Sequence, residues 1–119
     1  MRTILVVDDS PTILSLVTQA LAGTGHNIIT ASNGEEAITK ALTEHPDLVV
    51  LDVVMPQKNG YQVCRHLKTQ AETKDIKIIL LSSKSQQADR FWGLKQGADA
   101  YLTKPFQQAE LLAIVAQFV

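Results

Sequence analysis

The sequence predicts an α/β fold in which helices cover both faces of a parallel sheet. Five short apolar runs, rich in branched residues, alternate with segments whose apolar residues recur every three or four positions. Runs 4–7, 48–51 and 76–81 are almost continuously apolar. Parallel strands that are covered on both faces show this pattern, whereas half-exposed strands alternate with polar residues. Five strand and helix pairs, joined by right-handed crossovers, are therefore expected.

The elements follow one another in regular order. The predicted strands are 4–7, 28–31, 48–51, 76–81 and 100–102, and a helical spacing of apolar residues follows each of them. Ser10 followed by Pro11 predicts the start of the first helix. Asn33, with Glu36 three residues later, resembles a capping box at the start of the second.

The bulk chemistry is that of one ordinary domain. The chain has 119 residues, 45% of them hydrophobic, with 12 acidic and 11 basic side chains and a net charge of -1. A protein without a basic excess is not expected to bind nucleic acid. The predicted last helix reaches Val119, so we expect one domain over 1–119 and no output domain.

The N-terminus and the cysteine content indicate a cytoplasmic protein. The apolar run before Asp8 has only four residues, 4–7, too few for a signal peptide or a membrane span, so no membrane insertion is expected. Cys64 is the one cysteine of the chain and cannot form an intramolecular disulfide. We therefore expect a reducing environment.

Polar side chains follow four of the five predicted strands. They are Asp8 and Asp9, Asp52, Ser82 and Ser83, and Thr103 and Lys104. In an open parallel sheet, ligands bind beyond the carboxyl ends of the strands. Each residue alone is explained by helix capping or by solvation, but the set favours a functional site.

The acids in this set predict a magnesium site. Three carboxylates with one lysine carry a formal charge of about −2, which a divalent cation would neutralise. The strand ends offer carboxylate oxygens and no cysteine or histidine. Oxygen ligands of this kind suit Mg²⁺, and with it phosphate chemistry.

Four motifs resemble the receiver domain of bacterial response regulators. They are Val7-Asp8-Asp9-Ser10, Leu51-Asp52 with Pro56 and Gly60 downstream, Ser82, and Lys104-Pro105-Phe106. The resemblance covers the whole chain. The intervals of 30 positions from Asp52 to Ser82 and 22 from Ser82 to Lys104 are similar to those of single-domain, CheY-like chemotaxis regulators. The resemblance implies a flavodoxin-like, doubly wound sheet with strand order 2-1-3-4-5.

The resemblance also implies roles for the residues of the site. Asp52 would accept a phosphoryl group from a partner histidine kinase. Asp9 and Asp52 would bind Mg²⁺ directly, together with the carbonyl of Val54, while Asp8 would act through water. Lys104 would pair with the phosphoryl oxygens. The protein would catalyse only its own phosphorylation and dephosphorylation and would not be an enzyme in the wider sense.

The resemblance further implies a switch and an output surface. Ser82 takes the position of the hydroxyl that moves toward the phosphate, and Tyr101 that of the aromatic residue that follows it. The fourth helix, fifth strand and fifth helix would then signal to a downstream protein. The Lys104-Pro105 peptide is expected to be cis, as in the family.

The fourth helix carries two adjacent aromatic residues, which cannot both occupy the centre of one buried face. We expect Phe91 to face the core and Trp92 to be partly exposed. The stretch 82–87, followed by 89–93, is similar to regulators of type IV pilus twitching and of phototaxis.

Two alternatives to a phosphorylation switch remain. One is a receiver-like adaptor that works without phosphorylation, although such chains typically lose an acid or the lysine. The other is an aspartyl-phosphate hydrolase, which needs an acid two residues after its nucleophile, where this chain has Val54.

Overall fold

Five strands alternate with five helices in the computed structural model, which describes residues 2–83 and 87–119. In chain order they are β1 Thr3–Val7, α1 Pro11–Ala22, β2 Asn27–Ala31, α2 Gly34–Glu44, β3 Leu48–Asp52, α3 Gly60–Thr69, β4 Lys77–Ser82, α4 Gln87–Lys95, β5 Ala100–Thr103 and α5 Gln108–Ala116. Every predicted strand is found, with its ends displaced by one residue at most. Across the described ranges, no helix is long and apolar enough to cross a membrane.

The strands form one parallel sheet in the order β2-β1-β3-β4-β5, which confirms the predicted fold class. The central strand β3 is buried along its whole length, as its continuous apolar sequence indicated. Strand β1 pairs with β3 so that Val7 lies opposite Leu51. Because of this register, Asp8, which follows β1, lies beside Asp52 at the end of β3.

The sheet separates two apolar cores. Alternate residues of β1 point to opposite faces: Leu5 and Val7 belong to the core under α2 and α3, and Ile4 and Val6 to the core under α1 and α5. Both faces of the sheet are therefore buried. This explains why polar and apolar residues do not alternate along the central strands.

The first two helices begin where the sequence predicts. The Ser10 hydroxyl accepts a hydrogen bond from Ile13 N at 3.4 Å, and the Asn33 side chain accepts one from Glu36 N at 2.8 Å. The reciprocal bond of a capping box is displaced by one residue, because the Glu36 carboxylate accepts from Ser32 N at 3.2 Å. The second helix is thus capped by the predicted residues in a modified arrangement.

The prediction that Phe91 faces the core is wrong. Phe91 is 64% exposed, and Trp92, expected to be partly exposed, is 52% exposed. Among positions 89–95 of α4, whose burial the structure describes, the buried one is Gly93, where an added Cβ would lie only 2.9 Å from the Tyr101 ring. Phe91 precedes Gly93 by two residues and so lies about 200° away around the helix. The backbone of α4 at Gly93 packs directly on the Tyr101 ring, so no large side chain of the helix fills this position.

Candidate functional site

Three acids converge at the carboxyl ends of β1 and β3. Asp8 and Asp9 follow β1, and Asp52 is the last residue of β3. The three side chains can each offer an oxygen within 4.8 Å of the others. Asp8 and Asp52 are buried, whereas Asp9 is exposed. The structure therefore brings together the three acids that the sequence singled out.

Lys104 reaches this group from the end of β5. Its Nζ donates to Asp52 Oδ1 at 2.8 Å and to Asp8 Oδ2 at 3.3 Å. Its backbone N–H donates to the carbonyl of Ser82 at 2.7 Å, which joins the ends of β4 and β5. The Lys104-Pro105 peptide is cis, as expected. The lysine thus bridges the two buried carboxylates.

Burial and like charges destabilise the ionised form of Asp52. Burial raises the pKa of this carboxyl, and the charges of Asp8 and Asp9 raise it further, against the hydrogen bond and charge of Lys104, which lower it. Burial by itself lowers the pKa of Lys104, but its contacts with Asp52 and Asp8 outweigh burial and raise it. One lysine therefore does not fully neutralise the site.

The site fits a hard divalent cation. The groups that could bind it are three carboxylates, two of which belong to buried residues, and one lysine does not balance their negative charge. Mg²⁺ prefers one or two carboxylates with water and phosphate oxygens. Val54, predicted to add its carbonyl, lies two residues past Asp52, and its side chain is 59% exposed.

Two backbone contacts hold the buried acids in place. Ser10 N donates to Asp8 Oδ1 at 2.9 Å, so the turn into α1 orients that carboxylate. At Gly60 an added Cβ would lie 2.3 Å from the carbonyl oxygen of Asp52. Gly60 N also donates to Val53 O at 2.9 Å. The first residue of α3 must therefore be glycine for the helix to pack on the end of β3.

Ser82 and Tyr101 lie on the neighbouring strands. Ser82 is the last residue of β4 and is fully buried, and Tyr101 in β5 is 4% exposed. The Tyr101 ring packs under Gly93 of α4. Tyr61 of α3 also interacts with Tyr101, because the pKa of Tyr61 is raised, first by burial and then by a hydrogen bond with Tyr101. The predicted aromatic residue thus interacts with residues of two helices.

Arg90 was not predicted to matter, yet it contacts Tyr101 closely. Its Nη1 donates to Thr103 Oγ1 at 3.0 Å and its Nη2 to the Tyr101 carbonyl at 3.3 Å. Its guanidinium carbon lies 5.4 Å from the centre of the Tyr101 ring. The stretch 89–93 contains this arginine, but the sequence gives it no role, because its partners come from a strand that follows α4.

The family model described as the response regulator receiver domain matches residues 4–116. Protein PilH of Pseudomonas aeruginosa is 44% identical over 115 residues, which cover 97% of this chain and 95% of that protein. The alkaline phosphatase synthesis transcriptional regulatory protein PhoP of Bacillus subtilis is 46% identical over 96% of this chain. The chain spans about half, 47%, of the length of PhoP.

Solved structures show the same fold. Chemotaxis protein CheY4 of Vibrio cholerae is 30% identical with a TM-score of 0.93, covering 100% of this chain and 99% of that one. The receiver domain of a Pseudomonas aeruginosa sensor histidine kinase is 29% identical with a TM-score of 0.90, covering 98% and 96%. That structure has a magnesium ion coordinated in its active site cleft.

Proposed function

The chain belongs to the response regulator receiver domain family, and from this premise we propose that it is a phosphorylation-dependent signalling switch whose acceptor is Asp52. The observation that carries the proposal is the buried Asp52 carboxylate, which contacts Lys104 at 2.8 Å and lies beside Asp8 and Asp9. A carboxylate becomes an effective nucleophile toward phosphorus only where positive charge offsets the charge of the phosphoryl group.

In the proposed step, an Asp52 oxygen forms a bond to phosphorus while the bond from phosphorus to the donor's imidazole nitrogen breaks. Lys104 would donate to a phosphoryl oxygen, because its Nζ already lies 2.8 Å from Asp52 Oδ1. Asp8, Asp9 and Asp52 would hold Mg²⁺, with the carbonyl of Val54 as a further ligand. The ion would supply the remaining charge neutralisation.

The donor in this proposal is a partner histidine kinase. The resemblance of 82–87 and 89–93 to pilus and phototaxis regulators supports a role in a chemotaxis-like or type IV pilus motility pathway. We propose that it acts in the cytoplasm, by docking to a downstream protein or by drawing phosphoryl groups from another regulator.

The output surface in this proposal consists of α4, β5 and α5. A phosphoryl group on Asp52 adds acceptor oxygens close to Ser82 and Lys104, which border these elements. Amide chemical shifts on addition of beryllofluoride, a phosphoryl mimic, should therefore change between Ser82 and Phe106 as well as at the acids. Changes limited to Asp8, Asp9 and Asp52 would contradict a transmitted switch.

Labelling with a phosphodonor tests the acceptor. With labelled acetyl phosphate and Mg²⁺, the wild-type protein should gain label, whereas Asp52→Asn should gain none, and removal of Mg²⁺ should have a similar effect. Asp75→Asn is the matched control, because Asp75 is an exposed acid that precedes β4, whereas the site lies at the other end of that strand. Labelling of Asp52→Asn at the wild-type rate would refute the assignment.

The same experiment separates the two alternatives. A wild-type protein that takes no label from acetyl phosphate or from any candidate kinase would indicate an adaptor. Rapid turnover of small phosphate esters would indicate a hydrolase, for which Val54 stands where the second acid is needed.

A further inference from the structure

Arg90 connects helix α4 to strand β5 through three groups. Its two terminal nitrogens donate to Thr103 Oγ1 and to the Tyr101 carbonyl, at 3.0 and 3.3 Å. Its guanidinium carbon also lies 5.4 Å from the centre of the Tyr101 ring. Because Tyr101 and Thr103 are two residues apart on one strand, their side chains point to the same face, toward α4.

The planar guanidinium is suited to such a contact. Arginine presents donors in a rigid fork and stacks on aromatic faces, so one side chain can engage two acceptors and a ring at once. Gly93, one helical turn further on, lets the backbone of α4 lie against the same ring, with an added Cβ only 2.9 Å from it. Tyr101 is therefore covered by two residues of a single helix.

The contact also reaches the acidic site. Thr103 directly precedes Lys104, whose ammonium group contacts both Asp52 and Asp8. A movement of α4 along β5 must break the bonds of Arg90 to Tyr101 and Thr103. It would therefore disturb the strand end that carries Lys104.

We propose that Arg90 is a positioning residue that holds Tyr101 buried under α4 and couples α4 to Lys104 through Thr103. The burial of Tyr101 is independent of any phosphorylation chemistry. The coupling to Lys104 rests on the proposed function, because it concerns the response to a group on Asp52.

Fluorine NMR tests the burial of Tyr101. The chain has two tyrosines, so 3-fluorotyrosine labelling gives two signals, and Tyr101→Phe identifies the one from Tyr101. We expect Arg90→Ala to increase broadening of this signal by a soluble paramagnetic agent. Arg90→Lys, which retains the charge without the fork, should have an intermediate effect. Arg65→Ala, which removes the same charge from an exposed position of α3, should have none. Unchanged broadening in Arg90→Ala would overturn the proposal.

Titration with beryllofluoride at fixed Mg²⁺ tests the coupling, with the same fluorine signals as the readout. Arg90→Ala loses the bonds to Thr103 and Tyr101 as well as the ring contact, so its apparent affinity should weaken by about two- to fivefold. Thr103→Val removes the acceptor through which the coupling is proposed to run, and it should weaken the affinity by a similar factor. Equal affinities for the wild-type protein and Arg90→Ala would overturn the coupling. Absence of binding to the wild-type protein would instead refute the proposed function, and the broadening experiment would still decide the role of Arg90 in burying Tyr101.

Discussion

Val54 follows the proposed acceptor by two residues and contributes no polar side chain there. It is 59% exposed, so it faces solvent rather than the core. Hydrolysis of an acyl phosphate needs a group that can accept a proton from the attacking water. Valine has none, and Lys84, which lies outside the described residues, is a donor only at neutral pH.

We therefore predict slow loss of the phosphoryl group. The double variant Val54→Asn, Lys84→Glu should lose label about tenfold faster than the wild-type protein, which corresponds to about 1.4 kcal/mol in the barrier. Decay of the label after removal of the donor measures this rate. Val54→Ala is the control for simple access of water, and an equal acceleration in that variant would contradict the explanation. Equal or slower decay in the double variant would contradict the prediction itself.

At the residue scale, the sequence identifies the acids and the lysine but not the residues that position them. Asp8, Asp52 and Lys104 can be located because they follow apolar runs whose carboxyl ends must meet at one edge of a parallel sheet. Arg90 cannot be located in this way. Its partners, Tyr101 and Thr103, become its neighbours only when α4 packs on β5.

The helices show where sequence patterns fail at the scale of elements. The strands were predicted within one residue, because burial on both faces leaves an unbroken apolar run. The predicted orientation of α4 is wrong, because Phe91, a large apolar side chain at helical spacing, does not lie on the buried face. Gly93 marks it instead, and the exposed face carries Phe91, Trp92 and Leu94. A glycine in mid-helix was the available signal for close packing.

This packing predicts the effect of a single methyl group. In Gly93→Ala, the new Cβ would lie 2.9 Å from the Tyr101 ring and 3.0 Å from a Leu80 methyl group. Overpacking costs about 1–3 kcal/mol, and the gain in helix propensity from glycine to alanine is about 1 kcal/mol. We expect the free energy of unfolding to fall by about 1 kcal/mol, measured by urea denaturation.

Gly23→Ala is the matched control for this substitution. Gly23 has an ordinary φ of -76° and nothing within 4 Å of an added Cβ. Its replacement should leave stability unchanged or raise it by about 0.4–1 kcal/mol. A stability change in Gly93→Ala no different from that in Gly23→Ala would show that the contact with Tyr101 is not tight.

At the scale of the whole molecule, the fold brings together side chains that are far apart in the chain. Lys104 contacts Asp8 across 96 positions and Asp52 across 52. Periodicity predicts only a parallel α/β sheet, while the order β2-β1-β3-β4-β5 was expected from the resemblance to receiver domains. That order places β1 and β3 side by side, which is what makes a single acidic cluster possible.

The cluster should make the stability of the whole domain depend on pH and Mg²⁺. The pKa of Asp52 is raised above its ordinary value in the folded protein. Between the unfolded-state pKa and the folded-state pKa, the folded state binds more protons than the unfolded state. The contribution of Asp52 to stability therefore falls as pH rises through that interval and stays low above it. Asp52→Asn cannot ionise and retains the Lys104–Asp8 contact at 3.3 Å. In the metal-free protein at pH 7 it should therefore raise the free energy of unfolding by about 1 kcal/mol.

Mg²⁺ should reverse the order of the two proteins. At a concentration 100 times its Kd, an ion that binds only the folded state stabilises it by about 2.7 kcal/mol, and the wild-type protein should gain close to this amount. Asp52→Asn should gain less, because it has lost one of three ligand carboxylates.

Urea denaturation between pH 4 and 7, with EDTA or with Mg²⁺, measures both effects, and Asp75→Asn controls for the loss of an exposed acid. A destabilised Asp52→Asn in EDTA at pH 7 would contradict the charge argument. Equal stabilisation of both proteins by Mg²⁺ would remove Asp52 from the set of metal ligands.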